Sequence, residues 1–513
     1  MIRSVRILFR LLTIARTLAR HDALAALETM GILPGVVWLV RLVSRQRATG
    51  RPGQKLARAL TELGPSFIKL GQFFSTRADL LGEEIALDLA QLQDNLPAFP
   101  TAEARATIER ELESPIDRLF DSFDDKPVSA ASIAQVHLAI TSEGQEVAVK
   151  ILRPGIEKAF ERDLSLFYGL AELVQRTQPS LRRLKPIEVV GTFEETVRLE
   201  MDLRMEAAGA AELSENFSGD TTYRVPAIDW QRTSRRVLTM ERVGGIAMDD
   251  HEALLAAGFD LEDVLYKAAA IFFNQVFRDG FFHGDQHPGN MGVDTDGNIF
   301  AVDFGIMGRL DYRTRCFLAD MLMATIARDY RALAEVQVEA GYLPAGQSLD
   351  IYAQALRSVC EPIAGKPLHQ ISFARLLAQL LQLTESFDMP VQPQLLLLQK
   401  NMLMAEGVSR RLDPELNIWI LAQPLIESWM REHRGPEARL RDGAWQLLKS
   451  AERLPLLISN LEKVAHEMAN GGIGLHPKTF EALQRRARTQ KLSLFLAGLS
   501  LVLGVLLAAS IWM

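Results

Sequence analysis

Residues 283–290 of this 513-residue chain read HGDQHPGN, and they constrain the fold more than any other stretch. Asp285 and Asn290 stand five apart. Two short apolar runs follow, Met291–Asp294 and Asn298–Asp303, separated by Asp296-Gly297, and the second ends on Asp303-Phe304-Gly305. The Asp-Gly turn between them predicts a hairpin. His283 and His287 have the four-residue spacing of a helical zinc pair, but Gly284, Pro288 and Gly289 break any such helix and no Glu follows His283. A purely structural turn with capping aspartates is the other alternative.

The order loop, hairpin, Asp-Phe-Gly is that of a kinase catalytic loop leading to a metal-binding aspartate. Phosphoryl transfer requires a carboxylate near the acceptor, an amide oxygen on one Mg²⁺, and a second carboxylate that joins Mg²⁺ to the phosphates. Asp285, Asn290 and Asp303 supply those types in that order. Asp-Phe-Gly alone recurs by chance; the upstream spacing gives it meaning.

Upstream, Val136, Leu138 and Ile140 alternate with His137, Ala139 and Thr141, and a Ser-Glu-Gly-Gln turn leads to Val147, Val149 and Ile151. This is a period-two hairpin. Its second strand carries Lys150 away from the valine face, where such a lysine meets nucleotide phosphates. The preceding turn, Ser129-Ala130-Ala131-Ser132-Ile133-Ala134, replaces a glycine-rich loop with alanines and so restricts close backbone approach to phosphate. A helix over 188–213 offers Glu200, Asp202 and Glu206 as partners for Lys150. Asp202 and Glu206 share a face there, and Arg198–Asp202 and Glu200–Arg204 read as ordinary surface pairs.

The two ends differ from the middle. Residues 1–60 hold eleven Lys/Arg against Asp22 and Glu28, and Arg3, Arg6, Arg10, Arg16 and Arg20 interleave with apolar residues at near-helical spacing. That is a basic amphipathic segment suited to anionic lipid, or a surface helix packing on the next domain. Leu492 to Trp512 is uncharged and long enough to cross a bilayer as a helix, and Arg485, Arg486, Arg488 and Lys491 before it place the body on the cytoplasmic side. Ser500, Gly504 and Ala508 form a small-residue stripe that leaves a homodimer through the span open. The net charge of −7 excludes a chain built to coat nucleic acid, and two cysteines exclude a disulfide scaffold or a four-cysteine zinc site.

These motifs resemble the UbiB-type, ADCK-like atypical kinase family over roughly residues 60–420. The resemblance rests on Gly64 to Gln72 (with Lys69, Gly71 and Gln72 as the KxGQ signature), the alanine-rich loop followed by Gln135-Val136-His137, Glu200 and Asp202 as ExD, and H-x-D-x-H-P-G-N. The C-terminal hydrophobic segment is similar to that of the bacterial branch. The resemblance implies an α+β, bilobal protein-kinase-like fold with an N-terminal helical extension over the active site. The divisions expected are a membrane-surface segment (1–60), the extension (61–117), an N-lobe (118–243), a C-lobe (244–430), a helical linker (431–490) and an anchor (491–513).

By motif, the resemblance makes Asp285, Lys150 and Glu206 catalytic, and gives Mg²⁺ to Asn290 and Asp303. It lines the ATP or ADP site with residues 129–136 (Ser129, Ala130, Ala131, Ser132, Ile133, Ala134, Gln135, Val136), Lys150, Lys69, Gln72, and Glu241 and Val243 of the hinge. Glu200 and Asp202 would meet the extension or the metal. The implied function is an ATP-dependent kinase or ATPase of ubiquinone biosynthesis in the bacterial inner membrane, with membrane lipids, prenylated quinone precursors and other proteins of that pathway as partners. A nucleotide-gated scaffold and a protein kinase regulating a pathway hydroxylase remain open.

Overall fold

The computed structural model describes residues 10–434 except 11–12, 24–48, 76–82, 91, 93–95, 178–184, 345, 363–378, 381–382, 384–385, 388, 390–392 and 413–417. The expected anchor and most of the expected linker lie outside the described residues. Among those described, no helix is long and apolar enough to cross a membrane.

After a helical stretch at residues 13–20, the described residues form α1 (Pro52–Leu63), α2 (Pro65–Ser75) and α3 (Glu83–Ala90), then α4 (Thr101–Leu112). Next come β1 (Phe120–Phe123), β2 (Ser129–Ala130), β3 (Ala134–Thr141) and β4 (Glu146–Leu152). Helices α5 (Ile156–Thr177), α6 (Pro186–Glu200) and α7 (Leu203–Asn216) precede β5 (Tyr223–Arg224), β6 (Val237–Glu241) and β7 (Ile246–Ala247). The first sheet runs β1-β3-β4-β6, with β2 on β3.

Strand alternation gives this sheet two cores. Ala139, Val147, Val149, Ile151 and Val237 bury one face against Ala104 and Ile108 of α4. The other face, through Ala134, Leu152, Leu238 and Met240, shares a core with α1, α2, α5 and α7. Helix α4 therefore belongs with the sheet rather than with the extension, and α1 runs through the expected boundary at residue 60. In β3 the less apolar residues face inward: His137 and Thr141 are buried, whereas Val136 and Leu138 are half-buried on the Lys150 side.

His137 stacks on Phe123 at 4.8 Å, with Nδ1 bonded to the Asp124 carbonyl at 2.7 Å and Nε2 to the Gln135 amide at 2.8 Å. Burial depresses its pKa below the ordinary 6.5. The unfolded chain therefore takes up this proton first as pH falls. The stability tied to neutral His137 is complete above about pH 6.5 and drains as pH drops through the lower folded value. Thermal melts between pH 7.5 and 5 should show this decline, and it should shrink in His137→Gln.

The second half starts with α8 (Leu261–Phe273), which runs into a π-helical turn at Asn274–Asp279 and then β8 (Phe281–His283). The antiparallel pair β9 (Met291–Val293) and β10 (Ile299–Ala301) is the hairpin expected from Asp296-Gly297, and it extends into a sheet of order β5-β10-β9-β7. Strand β11 (Met307–Arg309) returns to pair with β8. Helices α9 (Tyr312–Ile326), α10 (Tyr330–Glu339), α11 (Leu349–Cys360), α12 (Pro393–Leu412) and α13 (Ile418–Arg434) follow. Val408 and Leu412 of α12 join the core beneath the β9–β10 hairpin, and Leu398 joins the core of α8.

Two of the basic N-terminal residues turn onto the protein. Arg10 pairs with buried Asp163 at 3.1 Å and lies over the Phe67 ring, and Arg20 pairs with Glu62 at 2.8 Å. Interleaved Arg and Leu suit an acidic protein surface as well as an acidic lipid one. Arg16 is exposed, and Arg3 and Arg6 lie outside the described residues.

Candidate active site

The helix expected over 188–213 is two helices. Asp202 leaves helical geometry (φ −120°, ψ 94°) and caps α7, its carboxylate accepting from the Arg204 amide at 3.2 Å. Asp is a favoured N-cap residue because its side chain satisfies an otherwise unpaired amide. The break sends the three acids in different directions. Asp202 goes to the Arg204 guanidinium at 2.6 Å, Glu200 to Lys69 at 2.8 Å, and Glu206 to Lys150 at 2.7 and 2.9 Å. Asp202 and Glu206 thus do not act from one face. The expected Arg198–Asp202 and Glu200–Arg204 pairs give way to Arg198–Glu194 and Arg204–Asp202.

Lys150 lies between two carboxylates, since Asp303 Oδ1 is 3.3 Å from its Nζ. Glu206 is 6% exposed and Asp303 46%. Burial, with Asp303 nearby, pushes the Glu206 carboxyl up to about 7 despite Lys150. For Asp303, desolvation is outweighed by Lys150, the Gly305 amide and Lys69, which hold its carboxyl below the usual range. Lys150 is raised: desolvation opposes this, but the Asp303 and Glu206 charges prevail.

The loop after β8 is tied to this triad through His283. Its Nδ1 accepts from the Asp285 amide at 3.0 Å, so Nε2 carries the proton and donates to the Asp303 carbonyl. Burial lowers the pKa of His283, in keeping with a neutral ring. Phe304 is buried in the same core as Ala210 and Leu213 of α7, which leaves its neighbour Asp303 toward the cleft. Asn290 donates its Nδ2 to the Asp285 carbonyl at 3.1 Å, and its own carbonyl accepts from the Val302 amide at 3.0 Å. With Nδ2 committed, Oδ1 is the atom that can meet a cation.

Among the described residues no cluster of three His, Cys, Asp or Glu forms a metal cage. A magnesium held by one carboxylate, one amide oxygen and phosphates needs none, so Asp303 and Asn290 fit that ion.

The nucleotide-facing residues expected from sequence divide. Val136 is paired with Lys150 and Leu138 with Ala148, so these side chains share the cleft face. Ser129 and Ala130 pair with Val136 and Gln135. The turn is closed by its own Ala131 amide donating to Ala134 at 2.8 Å, and by Arg153 donating to the Ala131 carbonyl at 2.8 and 3.0 Å. Ser132 is buried and Ile133 joins the core shared with α1 and α2.

Gln135 points the other way. Its amide bonds the Phe99 main chain at 2.9 and 3.3 Å, so only its backbone faces the cleft. Glu241 ends β6 with its carboxylate on Arg224 at 2.5 Å, and half-buried Val243 follows as the chain leaves the sheet. Lys69 and Gln72 lie one turn apart on α2. Gly71 between them permits close packing, since a Cβ there would sit 2.4 Å from Leu92 and 2.8 Å from Leu60.

Sequence reasoning missed three residues. Lys400 of α12 places Nζ 2.7 Å from Asp285 Oδ1. Asn401 donates to the His283 carbonyl and accepts from the Gln286 amide at 3.3 Å. Gln275, in the π-helical turn, accepts from the His283 amide at 2.9 Å and from Gln286 Nε2 at 3.1 Å. The available signal was Gln399-Lys400-Asn401, a polar interruption in the Leu-rich run of α12.

A strand lysine paired to a helix glutamate, set over an Asp/Asn loop and an Asp-Phe-Gly turn, defines the catalytic core of a kinase-like protein. Residues 91–337 match the ABC1 atypical kinase-like domain, and residues 356–417 match the UbiB helical domain. A protein of Marinobacter nauticus named "Probable protein kinase UbiB" is 41% identical over 88% of this chain and 85% of its own. One of the same name from Azotobacter vinelandii is 43% identical over 84% of this chain and 80% of its own. A solved structure, the Rv3197–erythromycin complex from Mycobacterium tuberculosis, is 25% identical and covers 69% of this chain and 94% of that one, with a TM-score of 0.45. The chain belongs to the UbiB family of ABC1 atypical kinases.

Proposed function

We propose that this protein is a Mg²⁺- and ATP-dependent atypical kinase or ATPase of ubiquinone biosynthesis that acts on, or presents, prenylated precursors at the bacterial inner membrane. The observation that carries the reading is Lys150 held between Glu206 and Asp303, with Asp285 and Asn290 fixed on one loop that His283 ties to Asp303. Mg·ATP, when bound, supplies the transferable phosphoryl group and neutralises its charge. Lys150 binds phosphate and Glu206 holds it in place. Asp303 and Asn290 bind the ion, and Asp285 orients the acceptor.

Val136, Leu138 and Ala148 form the apolar roof for the base, with the backbone near Glu241 and Val243 at its edge. The self-closed alanine-rich turn favours a phosphate pose unlike that of glycine-loop kinases. The Lys69–Glu200 pair, 12% and 10% exposed, holds α2 beside α6 and favours small acceptors over protein ones. Membrane residence is assigned to the segment 491–513, uncharged from Leu492 to Trp512, with the catalytic body cytoplasmic.

The test is Mg²⁺-dependent ATP hydrolysis by the full chain, with and without anionic liposomes carrying a prenylphenol. Turnover that rises several-fold with the prenylphenol supports the reading. Turnover indifferent to lipid removes its membrane part, and phosphate label accumulating on a pathway hydroxylase replaces it with a protein kinase.

A further inference from the structure

The loop 283–290 contains no lysine or arginine to pair with its one carboxylate, Asp285. The other two lysines of the site are committed, Lys150 to Glu206 and Asp303 and Lys69 to Glu200. The cation at Asp285 comes instead from α12, 115 residues downstream: Lys400 Nζ is 2.7 Å from Asp285 Oδ1. Both side chains are mostly shielded, at 18% and 23% exposure, so the pair is less screened than a surface one. The next residue, Asn401, is fully enclosed and bonds the loop backbone on either side of Asp285, at the His283 carbonyl and the Gln286 amide. Gln275, in the π-helical turn, bonds the His283 amide and the Gln286 side chain.

We propose that Lys400 is a positioning residue for phosphoryl transfer. By engaging Oδ1 of Asp285 it fixes the carboxylate so that the other oxygen addresses the acceptor, and it makes α12 part of the catalytic apparatus. The inference rests on the reading of the site as a phosphoryl-transfer centre. Asn401 and Gln275 hold the loop's path; Lys400 sets the orientation of its one carboxylate. A lysine ammonium suits this task because it is a compact point charge on a stem that packs along an apolar helix.

The test compares wild type, Lys400→Met, Lys400→Gln and Lys400→Arg as full-length protein in Mg·ATP turnover, with ADP binding and thermal melting recorded for each. A positioned acid–base group contributes about 10²–10⁴-fold, and loss of its orientation should forfeit part of that, about 10- to 100-fold in kcat. KM for ATP and ADP affinity should stay within about twofold, because the ion-pair partner of Lys400 is Asp285 rather than a phosphate-binding or proposed metal-binding group. Arginine, which keeps the charge, should recover most of kcat, whereas glutamine, polar and neutral, should behave as methionine does. In an Asp285→Asn background, Lys400→Met should cost less than about twofold, since the partner through which it acts is gone.

Equal losses in both backgrounds, an arginine variant as slow as methionine, or an unaltered kcat in Lys400→Met would each overturn the proposal. A melt that falls in Lys400→Met but not in Lys400→Gln, with kcat lost only in the former, would also overturn it in favour of a purely structural role. Absence of wild-type turnover overturns both this and the underlying reading; normal wild-type turnover beside an unaffected Lys400→Met overturns this one alone.

Discussion

Asp303→Asn is expected to abolish Mg²⁺-dependent turnover while leaving the protein folded. The Asp303 carboxylate is half-exposed toward the cleft, and its structural bond, from the Gly305 amide at 3.0 Å, can be accepted equally by an asparagine oxygen. Lys150 keeps Glu206 as its partner. What the substitution removes is one negative charge from the proposed metal site. A bound metal supplies several kcal/mol of transition-state stabilisation, and about 4 kcal/mol corresponds to roughly 10³-fold in rate. The expected result is therefore a loss of about that size in kcat, a melting temperature within a few degrees of wild type, and ADP affinity that no longer responds to Mg²⁺. Retained turnover in this variant would remove Asp303 from the chemistry.

Lys150→Met should be costly in a second currency as well. It takes the cation from between two carboxylates, one of which, Glu206, is 6% exposed. Breaking a buried ion pair from one side costs about 3–5 kcal/mol because the remaining charge is left without compensation. Here the loss is expected near the lower end of that range, about 3 kcal/mol, because Glu206, already pushed up to about 7, can take a proton in place of its partner. Adding Glu206→Gln to the variant should restore most of the lost stability, since neither charge then remains, yet restore none of the turnover. That divergence separates the lysine's structural role from its role toward phosphate. If the double variant regains activity along with stability, Lys150 is a fold residue only. Chemical denaturation of the four proteins in the cycle, beside their ATP turnover, gives both readings.

The residues with local signatures were legible in the sequence, and those set by distant contacts were not. The first hairpin follows from period-two alternation around a Gly turn and the second from Asp296-Gly297 between two apolar runs, and the spacing of Asp285, Asn290 and Asp303 places them together because a short hairpin can only return its ends to one place. The break at Asp202 was hidden because helical periodicity continues across it; only the capping tendency of aspartate marks it. The inward face of β3 was obscured for a different reason. Val136 and Leu138 look like core but lie half-buried on the Lys150 face, while His137 is buried by stacking on Phe123 and by its own hydrogen bonds. Arg10 and Arg20 read equally well toward lipid, and only the folded chain brings Asp163 and Glu62 to them. Lys400 and Asn401 belong to a helix whose relation to the catalytic loop no local pattern encodes.

The measurement that bears most directly on the central claim is a single-turnover experiment with γ-labelled ATP, excess full-length protein and Mg²⁺, followed by separation of water, lipid and protein fractions. The account predicts that label leaves ATP in a Mg²⁺-dependent step absent from Asp303→Asn, and that it appears as free phosphate or in a small lipid-phase molecule while the protein fraction stays unlabelled. ATP that binds tightly in the same cleft and remains intact through many minutes, with or without lipid, would contradict it and leave a nucleotide-gated scaffold in its place.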